Sequence, residues 1–253
     1  MIAALLALAL GGPPGCGLPP LTSGDRPWRV NETLVYDLDV LGAVKAGTMQ
    51  LTVERPMSAG KVIPLRARAK TTQTAASLKP FTGVALSWID PATLLPERYR
   101  DEADEGGVHK VSDARIKPAR PELVIEYRYG DSAGKAAYAR ERDVLDALST
   151  LFYLRAARLA AGERLCWDLV ANRRFWRLEG TVAAKREKVE TPAGRFETLR
   201  VDATTRRADR PEEKPRPIHL WFSTDPRHLP VAIVSEIDVG PVSATLSSTR
   251  GTR

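Results

Sequence analysis

The sequence contains few cysteine and histidine residues. Its 253 residues include two Cys and three His, which are too few for a zinc cluster of Cys and His ligands or for a disulfide-stapled scaffold. Hydrophobic residues make up 43% and charged residues 27% of the chain, a composition typical of globular proteins rather than disordered ones. The length fits one large domain or two small ones.

The N-terminus has no charged side chain before residue 25, and residues 2–10 form an apolar run. This run is too short to span a bilayer, which needs about 20 residues, but it is typical of the core of a signal peptide. Gly15-Cys16 follows it and resembles a bacterial lipoprotein signal, in which the cysteine is acylated and becomes the new N-terminus. An ordinary cleaved signal and an apolar leader without function are the alternatives.

These features predict three segments. Residues 1–16 are a signal peptide that ends at the candidate lipidation site Cys16, residues 17–27 are a flexible tether, and residues 28–253 are a single β-rich domain. Gly17 does not resemble an inner-membrane retention signal. We therefore expect an exported protein in the periplasm, anchored to the outer membrane by its lipid.

Most of the chain has the alternating pattern of half-buried β-strands. Residues 63–70 place Leu65 and Ala67 between Arg66, Arg68 and Lys70. Similar runs recur about every ten residues, separated by Gly, Pro or Asp-Pro, and turns are expected at 90–91, 172–173, 191–194 and 225–226. The pattern predicts a mainly β fold, with a curved antiparallel sheet that forms a sandwich or a barrel-like structure.

Two segments depart from this pattern. Residues 143–161 have apolar positions at helical spacing, which predicts one amphipathic α-helix packed against the sheet. Asp143 or Asp146 can cap its start and Gly162 can end it. Residues 203–217 are rich in charge and contain proline, which indicates a solvated loop.

Several short segments together resemble the bacterial exported-protein family catalogued as domain of unknown function 3108. The resemblance implies a periplasmic or envelope location and a β-rich domain, and it implies no activity, cofactor or catalytic residue. The segments are Leu34-Val-Tyr-Asp37, Gly42, Ala46-Gly-Thr48, Trp88-Ile-Asp-Pro91, Leu95-Pro96, residues 146–155, Thr191-Pro-Ala-Gly194 with Phe196, Leu220-Trp-Phe-Ser223 and Leu229-Pro230.

Catalytic motifs are incomplete throughout the chain. The three histidines lack metal-ligand spacing, and residues 130–135 have three residues where a phosphate-binding loop needs four between its glycines. Ser-x-x-Lys occurs at residues 58–61 and 132–135, in turn-like stretches, and no Gly-x-Ser-x-Gly is present. The acidic run 101–105 is typical of a solvated loop. We therefore predict a non-enzymatic protein without a cofactor.

Residues 155–186 are a candidate basic surface, with eight Lys or Arg against three acidic residues. Arg173, Arg174 and Arg177 are its candidate contacts for phospholipid headgroups or another anionic surface. Nucleic acid is not expected as a partner of an exported protein. Because Arg is abundant in the whole chain, compositional bias is the alternative explanation.

Aromatic residues suggest a candidate apolar cavity. Trp88, Trp176, Trp221 and Phe152 are its candidate lining, although such residues more often belong to a core. The first functional hypothesis is a non-enzymatic lipoprotein that binds a lipid, an apolar small molecule or an envelope protein partner. The second is a structural or assembly-interaction protein with a filled core that works through an Arg-rich surface, and the third is an enzyme with a dispersed site.

Overall fold

A computed structural model describes residues 17–40, 44–77, 79–116, 121–140, 142–237 and 240–252. Cys16 and the rest of the predicted signal peptide lie outside these ranges. The strands and helices, in chain order, are β1 (Thr33–Val40), β2 (Val44–Val53), β3 (Ile63–Thr71), α1 (Gln73–Ala76), β4 (Phe81–Ile89), β5 (Pro96–Glu105), β6 (Val108–Arg115), β7 (Glu122–Tyr129), β8 (Ser132–Ala139), β9 (Val144–Asp146), α2 (Ala147–Ala156), β10 (Arg164–Ala171), β11 (Arg174–Thr191), β12 (Gly194–Arg207), β13 (Arg216–Ser223), β14 (Pro230–Ile237) and β15 (Gly240–Arg250).

The strands form one 15-stranded sheet with the order β8-β7-β6-β5-β4-β3-β2-β1-β15-β14-β13-β12-β11-β10-β9. Neighbouring strands are antiparallel except for β9 and β10, which are parallel. β1 pairs with β15, so the first and last strands join two meanders into one surface. The prediction of a mainly β protein with a curved antiparallel sheet is confirmed.

Local sequence explains much of this sheet. In β3, Leu65 and Ala67 are buried whereas Arg68 is exposed, as their alternation predicts. The chain turns between β11 and β12 at residues 191–194 and between β10 and β11 at Asn172. Asn172 has a φ of 52°, in the left-handed region that asparagine tolerates better than most residues.

The two ends of the sheet meet through side chains, which gives the molecule its barrel-like form. The ring of Tyr138 in β8 lies 5.2 Å from the ring of Phe175 in β11. The hydroxyl of Ser112 in β6 donates to the carbonyl oxygen of Asn172 at 3.0 Å. The β10–β11 hairpin therefore contacts strands from the opposite end of the sheet.

The predicted helix is shorter than expected and is not amphipathic. Asp146 caps its start, accepting the backbone N–H groups of Leu148 and Ser149 at 2.8 Å. The helix ends at Ala156 rather than at Gly162 because residue 157 already has an extended conformation. All residues from Leu148 to Ala156 are buried, because the sheet and the N-terminal residues surround the helix on every side.

Residues 17–27 are an ordered strap, so the prediction of a flexible tether is wrong. The backbone N–H of Thr22 donates to the carbonyl oxygen of Ala156 at 2.8 Å. The hydroxyl of Tyr153 donates to the carbonyl oxygen of Pro19 at 2.9 Å. These hydrogen bonds fasten the strap across the C-terminal half of α2.

Two predicted loops are partly or wholly strand. The charged loop expected at 203–217 is confined to residues 208–215, because β12 continues to Arg207 and β13 begins at Arg216. The acidic run at 101–105 belongs to β5, where Glu102 and Asp104 are exposed and Asp101 is partly buried. Among the described residues, no helix is long and apolar enough to cross a bilayer.

Candidate functional site: an arginine cluster at the β10–β11 hairpin

The turn of the β10–β11 hairpin holds Arg173 against two tyrosine rings of β7. Its guanidinium carbon lies 4.4 Å from the ring centroid of Tyr129 and 5.2 Å from that of Tyr127. These tyrosines are two residues apart and therefore lie on the same face of the strand. Cation–π contacts of this length stabilise the position of the guanidinium.

Gly134 makes room for this arrangement. A Cβ atom at Gly134 would lie 2.4 Å from the hydroxyl oxygen of Tyr127, well inside van der Waals contact. Because β7 pairs Tyr127 with Gly134 of β8, the tyrosine ring can lie flat across the neighbouring strand. The absence of a side chain at Gly134 thus allows the ring position that Arg173 contacts.

Arg174 belongs to a second aromatic group on the same hairpin. The Trp176 side chain is 8% exposed, and its indole N–H donates to the carbonyl oxygen of Ala171 at 3.3 Å. Three guanidinium carbons lie near its ring centroid, that of Arg216 at 5.5 Å, that of Arg207 at 5.8 Å and that of Arg174 at 5.9 Å. Positive charge is therefore concentrated around one indole ring.

Carboxylates balance only part of this charge. Asp209 accepts two hydrogen bonds from Arg207, at 2.7 and 2.6 Å. This contact raises the pKa of Arg207 and holds the pKa of Asp209 below its usual value. Within the described ranges, Arg173 and Arg174 make no ion pair with a carboxylate. We refer to Arg173, Arg174 and Trp176, with Tyr127 and Tyr129, as the Arg hairpin.

Arg177, the third predicted basic contact, has a different role. Its Nε donates to Oδ1 of Asp168 at 2.8 Å, and the Asp168 side chain is 3% exposed. Because Asp168 balances its charge, Arg177 is less suited to bind an external anion than its two neighbours. Arg173 and Arg174 thus contact two aromatic groups of one hairpin, whereas Arg177 is tied to a buried acid.

Two aspartates inside the fold have perturbed acidity. Asp146 is fully buried and accepts a hydrogen bond from the Ser87 hydroxyl at 2.6 Å, and burial raises its pKa to about 6. Burial also raises the pKa of Asp101 to about 7, although the neighbouring Ser112 side chain and the charge of Arg100 oppose the shift. The Ser112 hydroxyl also donates to the carbonyl oxygen of Asn172 in the β10–β11 turn. Asp101 is therefore linked to this turn through its strand partner Ser112.

Sequence reasoning missed this acid because β5 carries it within a contiguous acidic run. The Oδ2 atom of Asp101 is closed to solvent and has no hydrogen-bond partner among the described residues. A buried, partnerless carboxylate oxygen favours the protonated acid. The useful signal was that neighbouring residues of a strand face opposite sides of the sheet. If the acidic run is a strand, one of Asp101 and Glu102 must face inward.

The four aromatic residues predicted to line a cavity occupy different environments. Phe152 is 2% exposed in α2, and its ring meets that of Trp28 edge-on at 5.3 Å. Trp88 is half-buried in β4, beneath the guanidinium of Arg98 at 5.0 Å. In the ring contacts of the described residues, no pair joins two of the four predicted lining residues.

Trp221 lies in a polar network on β11, β12 and β13. Its indole N–H donates to Oε2 of Glu187 at 2.8 Å. Arg200 contacts Oε1 of Glu187 at 2.8 Å and Oδ1 of Asp202 at 2.9 Å. His219 approaches the same Asp202 carboxylate, with 2.6 Å between Nδ1 and Oδ1. These contacts place the half-buried Trp221 side chain in a polar environment rather than among apolar side chains.

A shallow cavity lies elsewhere, beside α1. Its volume is about 240 Å³, below the roughly 300 Å³ at which small-molecule sites usually begin. It contains none of the four predicted aromatic residues. In the part of the chain that the structure describes, no group of three or more His, Cys, Asp or Glu is arranged to hold a metal ion. The lining includes Lys70, Thr71, Ala76, Pro80, Phe81 and Asp104.

A family model matches most of the chain. The model of the family described as "Protein of unknown function (DUF3108)" matches residues 35–247. The chain belongs to the DUF3108 family. This confirms the resemblance inferred from the ordered segments. A search of curated proteins finds no match.

The first of three similar solved structures supports the fold of this DUF3108 member. A beta-barrel-like protein of the family DUF1849 from Brucella abortus is 10% identical, covers 94% of this chain and 100% of its own, and has a TM-score of 0.59. A proposed lipoprotein from Parabacteroides distasonis is 10% identical with coverage of 89% and 97% and a TM-score of 0.37. A proposed exported protein with a YmcC-like fold from Bacteroides fragilis is 9% identical with coverage of 93% and 100% and a TM-score of 0.34.

Proposed function

We propose that this DUF3108 protein is an exported, non-catalytic binding protein that docks an acidic protein partner in the bacterial envelope through the Arg hairpin. The observation that carries this proposal is the pair Arg173 and Arg174. Both side chains are held by aromatic rings, and neither is neutralised within the described residues. Guanidinium groups that are positioned in advance lose little entropy when they bind a carboxylate.

The occupied interior favours a surface function over the carriage of an apolar ligand. α2 is buried along its length and packs against strands from both halves of the sheet, β3 and β4 on one side and β9 and β10 on the other. The core cluster joins this helix to residues of many strands, including Leu34, Leu65, Val182 and Leu246. The hypothesis of a filled core with an Arg-rich working surface therefore agrees best with the packing.

The predicted lipid anchor places the Arg hairpin away from the anchoring membrane. The strap that begins at Gly17 crosses the C-terminal end of α2 at Ala156. The Arg hairpin follows Val170, which pairs with Asp146 at the N-terminal end of the same helix. Ten helical residues separate these ends by about 15 Å. A protein anchored at Cys16 would thus present the Arg hairpin toward the periplasm, where an acidic protein can reach it.

Binding of a defined acidic probe tests the proposal. The probe is a fluorescein-labelled, glutamate-rich peptide, and its dissociation constant is measured by anisotropy at two salt concentrations. The double variant Arg173→Ala/Arg174→Ala should bind at least about tenfold more weakly. The matched control Arg186→Ala/Arg195→Ala removes the same charge from two exposed arginines that are paired with Glu197 and Glu190, and it should bind within about twofold of the wild type.

Equal losses in both double variants would mean that total charge, rather than the Arg hairpin, determines binding, and would reject the proposal. Stronger binding to phosphatidylglycerol vesicles than to the peptide, lost in the Arg173→Ala/Arg174→Ala variant, would instead assign the cluster to lipid headgroups. Native mass spectrometry of detergent-free protein tests the apolar-ligand alternative. We expect the bare protein mass, and a retained mass of several hundred daltons that organic solvent extracts would favour a carrier.

A further inference from the structure

β8 is an outer strand of the sheet with one open side. It pairs with β7 and stands at one end of the strand order. Its eight residues carry no proline, and its register with β7 is continuous from residue 132 to residue 139. An edge strand of this kind presents backbone donors and acceptors to which another extended segment can pair.

The hydrogen bonds with β7 show which backbone groups face outward. The N–H of Arg140 donates to the carbonyl oxygen of Pro121 at 2.8 Å, and successive residues of a strand alternate between bonding to one neighbour and facing the other side. The even-numbered residues of β8 therefore bond to β7, and the odd-numbered ones face outward. The outward-facing backbone groups belong to Ala133, Lys135, Ala137 and Ala139.

The side chains of these same four residues are exposed. Three of them are alanines, which allow another strand to approach closely. Lys135 is the one charged member, and its ammonium lies 3.8 Å from the carboxylate of Glu126 on β7. A partner strand could therefore pair with an accessible edge. The one charged side chain of that edge, Lys135, already lies beside the carboxylate of Glu126.

Tyr138 connects this edge to the Arg hairpin. Its ring packs against Phe175, as described above, and its hydroxyl donates to Oδ2 of Asp209 at 3.4 Å. Asp209 in turn holds Arg207 beside the indole of Trp176. The C-terminal end of the open edge therefore lies next to the concentrated positive charge.

We propose that β8 accepts an extended, acidic segment of the partner as a sixteenth strand, with its acidic side chains directed to the Arg hairpin. This inference rests on the proposed function and adds the conformation of the bound segment. A second copy of the chain fits less well, because each copy carries a net charge of +7 and edge-to-edge pairing would bring two Arg hairpins together. Strand addition supplies backbone hydrogen bonds, and the arginines supply selectivity for acid.

Two peptide probes of equal charge separate strand pairing from charge attraction. One alternates Glu with Thr or Val, and the other replaces each Thr or Val with Pro, so it cannot form a regular strand. The protein variants are Ala137→Pro, which removes an outward N–H, and Ala137→Ser, which keeps it. Because Ala137 does not donate to β7, proline should leave the existing ladder intact. Ala133→Pro repeats the test at another outward position, and thermal unfolding confirms that each variant is folded.

We expect the alternating peptide to bind the wild type at least about tenfold more tightly than the proline peptide. Ala137→Pro and Ala133→Pro should remove that preference, and Ala137→Ser should retain it. Unchanged binding of the alternating peptide to both proline variants would overturn strand addition. Equal binding of the two peptides, lost in Arg173→Ala/Arg174→Ala, would overturn strand addition and leave the proposed function standing.

Binding of neither peptide would overturn both proposals. Light scattering checks the remaining occupant, a second copy of the chain. A wild-type dimer that becomes monomeric in Ala137→Pro, but not in Ala137→Ser, would assign the edge to self-association and reject the acidic partner strand. We expect a monomer for the wild type and for all variants.

Discussion

Arg155 and Glu32 form an ion pair that is fully closed to solvent, since both side chains have 0% exposure. Arg155 lies in the last turn of α2, and Glu32 lies just before β1. The same guanidinium donates to the carbonyl oxygens of Pro27 at 3.3 Å and of Arg227 at 3.1 Å. One side chain thus joins the central helix to the strap and to the turn between β13 and β14.

Arg155→Ala should lower the free energy of unfolding by about 3–5 kcal/mol, because it leaves Glu32 buried without its partner. The matched control is Arg158→Ala. Arg158 is exposed and lies just beyond the helix, and its removal should change stability by less than about 0.5 kcal/mol. Urea unfolding followed by tryptophan fluorescence measures both. Similar stabilities for the two variants would show that the buried pair does not stabilise the fold.

The contribution of Asp101 and Asp146 to stability should fall as the pH rises from about 4 to about 7. Burial raises the folded-state pKa of Asp101 to about 7 and that of Asp146 to about 6, so the folded protein binds these protons more tightly than the unfolded chain. The stabilisation is complete below the unfolded pKa and is lost as the pH rises through the folded one. One such group contributes at most about 1.4 kcal/mol per pH unit.

Asp101→Asn should flatten the upper part of this dependence, because an amide does not titrate. The control Asp131→Asn changes an exposed acid in the β7–β8 turn and should leave the slope unchanged. Urea midpoints measured at half-unit pH intervals supply the comparison. An Asp101→Asn variant with the same pH dependence as the wild type would contradict the raised pKa of Asp101.

Gly134→Val should displace the ring of Tyr127, because its Cβ would overlap the tyrosine hydroxyl. The ring end of a side chain can move, so we expect the fold to survive with a stability change of about 1 kcal/mol or less. Arg173 would lose one of its two aromatic contacts, and binding of the glutamate-rich peptide should weaken by a few-fold. Ala136→Val, at the next residue on the same side of β8, serves as the control. Equal binding by both variants would show that the Tyr127 contact does not position Arg173.

Cys16 remains the predicted site of lipidation, and it lies outside the described residues. Full-length protein expressed in bacteria should fractionate with membranes, and Cys16→Ser should release it to the soluble fraction. Intact mass should show the added acyl groups in the wild type. A soluble wild type that is lighter by two hydrogens would instead indicate a disulfide with Cys166, the other cysteine of the sequence.

Local patterns predicted the strands and turns well because each depends on neighbouring residues. Leu65 and Ala67 alternate with charged residues in a period of two, and this alone specifies a half-buried strand. Asp146 was one of the two candidate caps predicted for the helix, together with Asp143, and it caps the start of α2. The basic surface at residues 155–186 was predicted from composition. Two of its three predicted contacts, Arg173 and Arg174, belong to the Arg hairpin.

The predictions that were wrong concern contacts between distant parts of the chain. Residues 17–27 have the composition of a tether, but the hydrogen bond from Thr22 to Ala156 joins positions far apart in sequence. The apolar spacing of residues 143–161 predicted an amphipathic helix, and Arg155 interrupts its apolar face. Arg155 can be fully buried because it pairs with Glu32. No local window contains both partners.

The sequence by itself determined the fold class, the family, most strand positions and two candidate caps for the helix, because periodicity, turn chemistry and capping act over a few residues. Only the tertiary structure decided that α2 is buried on every face, that Arg177 is tied to Asp168 while Arg173 and Arg174 are not, and that β8 remains an open edge. These features arise when the ends of a 15-stranded sheet curl toward each other. Closure of this kind depends on the sum of strand twist and long-range packing, which no short segment encodes.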